Sequence, residues 1–168
     1  FTAVVGHEEP EAAKDGPKAF IEDVNSGRLS GDRILIVEGR DALWVMSMGS
    51  LNFTVTLSSD KGGMHTQYVP FSENPIRFMG AMINRICEFQ ADLDAGSVHP
   101  LAGAERIDIG IANAGDYFNR TPTRCVLTGT RRWAPGKTAP EVLGELKELV
   151  MPIARAGSLG VSVEMVHE

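Results

Sequence analysis

Residues 51–74 read LNFTVTLSSDKGGMHTQYVPFSEN, and this stretch decides the fold. Apolar and polar residues alternate from Leu51 to Leu57, which predicts a β-strand with one buried face. A flexible loop with two adjacent glycines follows and carries His65. Asn74 and Pro75 have the residue types of a helix N-cap and of a first helical position. The stretch therefore predicts a strand, a histidine loop and a capped helix.

Downstream of this stretch the same two periodicities recur. Apolar residues at helical spacing predict a helix over residues 75–94 and a second one that opens at the capping box of Thr138 and Glu141. Pro152 is expected to kink the last turn of the second helix. Alternating residues predict three further strands, around residues 107–111, 123–132 and 159–165.

The resulting order over residues 45–168 is β-α-β-β-α-β. This order predicts an α/β (α+β) fold of the ferredoxin-like type, a four-stranded antiparallel sheet with two helices on one face. We therefore interpret residues 45–168 as one domain.

Residues 1–44 have a different pattern. Two short apolar runs, residues 2–6 and 34–37, enclose a helical pattern over residues 11–25, which predicts a βαβ strip with parallel strands. Two parallel strands need further neighbours to form a stable sheet. The chain also begins with Phe1 rather than methionine. We therefore expect residues 1–44 to be a remnant of a catalytic α/β domain, and the chain to be a piece of a longer protein.

Composition narrows the class of protein. The formal net charge of -6 argues against nucleic acid as the main partner, and no apolar run is long enough to span a bilayer. Two cysteines form neither a disulfide framework nor a four-ligand metal site. Cys87 and Cys125 both lie in apolar patterns, which predicts two buried, reduced thiols and a cytoplasmic location.

Acidic residues follow both apolar runs of the predicted βαβ strip. Glu8 and Glu9 follow the first run and Glu38 follows the second. Because the carboxyl ends of neighbouring parallel strands meet at one edge of a sheet, these carboxylates are candidates to bind a metal and to transfer a proton. The alternative is that they only complement the dipole of a following helix.

Two further candidates lie in the predicted ferredoxin-like domain. His65 could donate a hydrogen bond to a developing oxyanion or reach another subunit, or it could be a solvated loop residue. Asn119, Arg131 and Arg132 flank one predicted strand, and an arginine there could pair with a substrate carboxylate. The alternative is a strand-end arginine that stacks on Trp133.

The order of these motifs resembles the di-zinc amidohydrolase and exopeptidase family. That family includes aminoacylases, acetylornithine deacetylase, succinyl-diaminopimelate desuccinylase and the glutamate carboxypeptidases, whose members insert a ferredoxin-like dimerisation ("lid") domain into a zinc-binding domain. The matching residues are Val4-Val5-Gly6-His7-Glu8-Glu9, Val37-Glu38-Gly39, Gly62-Gly63-Met64-His65, Asn74, Asn119-Arg120-Thr121-Pro122 and Arg132.

The resemblance implies a role for each acidic candidate. Glu8 corresponds to the general base that activates a zinc-bound water, and Glu9 and Glu38 correspond to zinc ligands, one for each of two zinc ions per intact subunit. The family's remaining ligands lie outside this sequence. We therefore expect the chain alone to hold no di-zinc centre and to be inactive.

For the lid domain, the resemblance implies a homodimer. His65 corresponds to a histidine that crosses the dimer interface to the scissile carbonyl of the partner's substrate. Asn119 and Arg132 correspond to residues that hold the substrate's carboxylate. The implied substrate is a small N-acyl amino acid or peptide, and neither nucleic acid nor a membrane is expected as a partner.

The sequence thus predicts the dimerisation domain of a zinc-dependent metallopeptidase or amidohydrolase. The parent enzyme would cleave an amide or peptide bond next to a free carboxylate by metal-activated water. The alternative is a stand-alone ferredoxin-like module that binds a ligand or dimerises without catalysis. A further alternative is an inactive relative that retains the lid for assembly only.

Overall fold

A computed structural model of the protein describes residues 16–32 and 46–167. The chain divides into two compact units, and residues 46–166 all belong to the second. In the first unit the described residues contain helix α1, Gly16–Asn25. The elements of the second unit are β1 (Gly49–Ser58), α2 (Pro75–Ala95), β2 (Arg106–Ala114), β3 (Arg124–Trp133), α3 (Ala139–Ala156) and β4 (Gly160–His167).

The four strands form one sheet in the order β2-β3-β1-β4. Strand β3 pairs antiparallel with both β1 and β2, and two short 3-10 turns lead from β1 to α2. Each helix connects two strands that are not neighbours in the sheet. This arrangement confirms the predicted ferredoxin-like fold.

One face of the sheet and the two helices α2 and α3 share a single apolar core. The alternation read from the sequence is the cause, because every second residue from Leu51 to Leu57 is at most 1% exposed. A fully buried large apolar side chain contributes roughly 1.5–3 kcal/mol by leaving water. The core residues with the least exposure are Leu51, Phe53, Val55, Leu57, Met82, Ile86, Cys125, Leu127, Val142, Val150 and Ala154.

Both helices of the second unit begin at the predicted caps. The side chain of Asn74 accepts a hydrogen bond from the backbone N–H of Ile76 at 3.0 Å. At α3 the backbone N–H of Thr138 donates to the carboxylate of Glu141 at 2.7 Å, and this bond is the main reason why the pKa of Glu141 is lowered. Helix α3 continues through Pro152 to Ala156.

The isoleucines of β2 do not all face the core, contrary to the simple alternation in the sequence. Ile107 is buried and Ile109 packs against the core, but Ile111 is 52% exposed. The register shifts between Ile109 and Ile111, so Ile109 lies opposite Gly129 and Ile111 lies opposite Thr128. This bulge at Gly110 transfers Ile111 to the open face of the sheet.

The prediction of two buried thiols is wrong for one cysteine. Cys125 is buried at 1% exposure, and burial raises the pKa of its thiol to about 11. Cys87 is exposed, because it follows the buried Ile86 on α2 and so lies off the inward-facing stripe.

Three predictions about the N-terminal region lie outside the described residues. They are the strands at residues 2–6 and 34–37 and the assignment of residues 1–44 to a catalytic domain. The helix predicted over residues 11–25 is described from Gly16 to Asn25. No helix among residues 16–32 and 46–167 is long and apolar enough to cross a membrane.

Candidate functional site

The predicted site residues of the second unit lie at two opposite ends of the sheet. His65 and Asn119 lie next to the end where Ser58 pairs with Arg124, which we call the histidine end. Arg132 pairs with Ser50 at the other end, which we call the arginine end. Arg124 and Arg132 are separated by eight residue steps along β3, which correspond to about 27 Å of extended strand.

Backbone hydrogen bonds anchor the loop that carries His65, although the sequence predicted a flexible loop. The N–H of Gly63 donates to the carbonyl of Thr121 at 2.9 Å, and the N–H of Thr121 donates to the carbonyl of Met64 at 2.8 Å. Glycine is required at position 62, where a Cβ would overlap the Cα of Thr123. It is also required at position 63, where φ is +85°. The loop therefore presents His65 in one fixed place.

The imidazole of His65 is oriented by two neighbours. Its Nδ1 accepts a hydrogen bond from the backbone N–H of Gln67 at 3.1 Å, so the neutral ring carries its proton on Nε2. Nε2 lies 3.1 Å from Nδ2 of Asn119. The side chain of Asn119 has both an acceptor oxygen and an N–H donor, so its amide can accept from Nε2–H of His65 and can turn to donate to a ligand. A substrate oxygen could then accept from both N–H groups, as in an oxyanion hole.

Four exposed aromatic side chains lie within six residues of His65 or Asn119 in the chain. Tyr68 is 71% exposed, and its ring meets that of His65 edge-on with the centroids 6.0 Å apart. Phe71, Tyr117 and Phe118 are 75%, 55% and 85% exposed. Exposed apolar rings make this end of the sheet a candidate contact site.

At the arginine end, two neighbouring arginines have different environments. Arg132 is exposed, whereas Arg131 is 2% exposed and lies 5.6 Å from the ring centroid of Phe89. The aromatic partner of Arg131 is the ring of Phe89, and the stacking of a strand-end arginine on Trp133 stays a prediction. The indole N–H of Trp133 donates to the carbonyl of Lys137 at 2.8 Å.

Arg131 is the centre of a partly buried ion network. Its guanidinium forms an ion pair with Glu105, lies 3.5 Å from Glu145, and donates to the backbone carbonyl of Arg132. Burial alone would raise the pKa of Glu105, but the hydrogen bond and charge of Arg131 outweigh it, so the pKa is lowered. The network fixes the backbone from which Arg132 projects.

The structure therefore brings together two of the six predicted site residues, His65 and Asn119. Arg132 lies at the far end of the same sheet, and the predicted roles of Glu8, Glu9 and Glu38 fall outside the described residues. Within residues 16–32 and 46–167, no group of three or more His, Cys, Asp or Glu side chains could hold a metal ion. The described residues thus contain no complete zinc site of their own.

Two aromatic residues near the histidine end were not predicted from the sequence. A cleft of about 470 Å³, lined by Thr66 and Arg120 next to His65 and Asn119 in the chain, includes Tyr117 and Phe118. The available signal was two adjacent aromatic residues directly before Asn119. Hydrophobic periodicity does not detect such residues, because they belong to no strand or helix.

Comparison with known proteins supports the fold and identifies the domain. Residues 45–158 match the family model described as peptidase dimerisation domain. No curated protein matches the chain.

Solved structures with a similar fold include a putative amidohydrolase/peptidase from Burkholderia cenocepacia (19% identity, TM-score 0.56), which covers 71% of this chain and 28% of its own. An aminobenzoyl-glutamate utilization protein from Klebsiella pneumoniae is 21% identical, with 72% and 28% covered and a TM-score of 0.53. A hydantoinase/carbamoylase family amidase from Burkholderia vietnamiensis is 15% identical, with 71% and 27% covered and a TM-score of 0.56.

The chain spans less than a third of the length of these solved structures, and at such identities the likeness shows the fold alone. The family model, however, covers residues 45–158 of the 168 residues. The match confirms the resemblance to a dimerisation domain that the motifs indicated. The chain belongs to the peptidase dimerisation domain family.

Proposed function

We propose that this chain supplies the lid domain of a zinc-dependent hydrolase that cleaves an amide or peptide bond next to a free carboxylate. The observation that carries the proposal is the His65–Asn119 pair, with 3.1 Å between its side-chain nitrogens, on a fastened loop at an exposed end of a dimerisation domain. Two proteins with a similar fold support it, namely a putative amidohydrolase/peptidase and a hydantoinase/carbamoylase family amidase.

The separation of the two ends supports a role in trans. Arg132 and the His65–Asn119 pair are about 27 Å apart along β3, which is too far for one small substrate to touch both in one subunit. If all three residues serve one substrate, two copies of the domain must contribute. In the proposed homodimer, His65 of one protomer therefore completes the active site of its partner.

Each residue then has a distinct part in hydrolysis. Because Asn119 lies beside His65 and not beside Arg132, we assign it to the carbonyl oxygen instead of the carboxylate that the resemblance implies. Nε2–H of His65 and the amide N–H of Asn119 bind the carbonyl oxygen and stabilise the negative charge that develops on it. Arg132, held by the Arg131 network, pairs with the substrate's carboxylate. Water adds its oxygen to the carbonyl carbon, the C–N bond breaks, and the amine leaves with a proton.

For the catalytic half we retain the assignment drawn from the resemblance. Glu8 is proposed as the general base and Glu9 and Glu38 as zinc ligands in the intact enzyme. Bound zinc would supply a water of lowered pKa. A cytoplasmic location is part of the same proposal.

A free edge of the sheet is the proposed dimer contact. Strands β2 and β4 are the two edges, and β2 exposes the apolar side chain of Ile111 on the open face. A second copy that pairs with β2 would satisfy its free backbone groups and cover this side chain. Sedimentation should show a dimer that Ile111→Lys dissociates. The matched change on the other edge, Met165→Lys, should leave the dimer intact.

Hydrolysis by the intact protein tests the function itself. We expect the enzyme to release amine from an N-acetyl amino acid, and Glu8→Gln to abolish this release without loss of the dimer. The stand-alone binding module predicts no hydrolysis of any N-acyl amino acid by the wild-type protein.

A further inference from the structure

We propose, on the basis of the function above, that the cleft beside the His65–Asn119 pair binds an apolar, planar acyl group of the substrate. The cleft lies between the start of α2 and the turn over residues 114–122, and Tyr117 and Phe118 are its proposed contact residues. This assignment makes the lid a determinant of which acyl groups the enzyme accepts.

The cleft lies next to both members of the pair in the chain. The cleft is lined by Thr66, which follows His65, and by Arg120, which follows Asn119. The cleft thus begins one residue along the chain from each member of the pair. Its volume is about 470 Å³, and it is open to solvent.

The charged side chains that line the cleft are paired with each other. Among the described residues that line the cleft, the two charged ones neutralise each other, since Nη1 of Arg120 lies 2.8 Å from Oδ2 of Asp116. The side chain of Asn74 is engaged in capping α2. The cleft therefore offers no unpaired charge to a ligand, which favours an apolar group over an ionic one.

The two aromatic rings of the cleft differ in how they are held. The guanidinium of Arg120 lies 5.7 Å from the ring centroid of Tyr117, whose other neighbour is Phe118 at 4.5 Å between centroids. Tyr117 is thus held in place, while Phe118 is 85% exposed and has free ring surface. A planar group can stack or meet it edge-on.

The chemistry of the substrate separates its acyl group from its carboxylate. The carboxylate lies on the amine side of the scissile bond and, in the proposed dimer, pairs with Arg132 of the other protomer. The carbonyl lies at His65. The acyl group leaves the carbonyl carbon on the side opposite the amine, and we assign it to the cleft of the lid that supplies His65.

The test compares two substrates in the intact enzyme. We measure kcat/KM for the N-benzoyl and the N-acetyl derivative of one amino acid, in the wild type and in Phe118→Ala. We expect Phe118→Ala to lower kcat/KM for the benzoyl substrate roughly ten- to hundredfold and for the acetyl substrate less than about threefold. Phe118→Tyr keeps a ring and should retain the benzoyl preference.

Leu101→Ala is the matched control. Leu101 is 62% exposed and lies in the turn before β2, at the arginine end, so its loss should change neither rate. An equal decrease with both substrates in Phe118→Ala would overturn the inference and indicate that a protein surface covers the cleft. No decrease with either would also overturn it. A wild type inactive on both substrates would instead contradict the proposed function.

Discussion

Arg131 and Arg132 are neighbours on β3, yet one guanidinium is 2% exposed within an ion network and the other is exposed. Successive residues of a strand face opposite sides of the sheet, so the two guanidinium groups have different surroundings. Arg131 holds the strand end, and Arg132 is exposed, as its proposed role in binding a carboxylate requires.

Truncation of the buried arginine should destabilise the domain. Arg131→Ala leaves the carboxylate of Glu105, 18% exposed, without its main partner, and we expect a loss of about 3 kcal/mol in the free energy of unfolding. Arg132→Ala should change it by less than about 0.5 kcal/mol. Urea denaturation of both variants measures the difference, and equal losses would show that the network carries little stability.

The same network should make stability depend on pH. The pKa of Glu105 is lowered in the folded state, so the unfolded state binds more protons as the pH falls. Its stabilising contribution is therefore present above the ordinary carboxyl pKa of about 4.3 and is lost as the pH falls through the lowered pKa. The unfolding free energy of Glu105→Gln should decline less than that of the wild type over this acidic range. Parallel curves would contradict the assignment.

A close approach between strands predicts a second stability difference. A Cβ at Gly129 would overlap the backbone carbonyl oxygen of Asp108 and lie 2.6 Å from Cζ of Phe53. We expect Gly129→Ala to cost about 3 kcal/mol. Gly110→Ala is the matched control, because a Cβ there meets nothing within 4 Å. The midpoint of thermal unfolding should be clearly lower for Gly129→Ala than for Gly110→Ala. Similar midpoints would show that the neighbouring strands move to accommodate the added methyl group.

The His65–Asn119 pair should behave as one unit in the intact enzyme. We expect His65→Ala and Asn119→Ala each to lower kcat/KM by about 10²–10³, as for loss of an oxyanion donor. The double variant should lose less than the product of the two effects, because the residues act on the same oxygen. Asn84→Ala, an exposed asparagine on α2, serves as the control. Fully multiplicative losses would argue that the two side chains act separately.

The fold could be predicted because its periodicities are local. Alternation identified β1 correctly, since its buried face is continuous from Leu51 to Leu57. The bulge at Gly110 escaped the prediction, because a shift of register depends on the partner strand. Exposure of Cys87 depends on how α2 is rotated against the sheet.

The site was predictable only in its residue types. His65 and Asn119 are 54 residues apart in the chain and meet because β1 and β3 pair in one register. The sequence analysis named Arg131 and Arg132 together as strand-end arginines and did not predict that Arg131 is buried. The choice follows from the positions of Glu105 and Glu145, which no local pattern contains.

The most direct test of the account is a heterodimer made from two inactive proteins. One subunit of the intact enzyme carries Glu8→Gln and the other carries His65→Ala, and the heterodimer is purified with two different affinity tags. If His65 acts in the active site of its partner, one of the two active sites is complete, and the heterodimer should have about half of the wild-type activity. If His65 acts within its own subunit, neither active site is complete, and an inactive heterodimer would contradict the account.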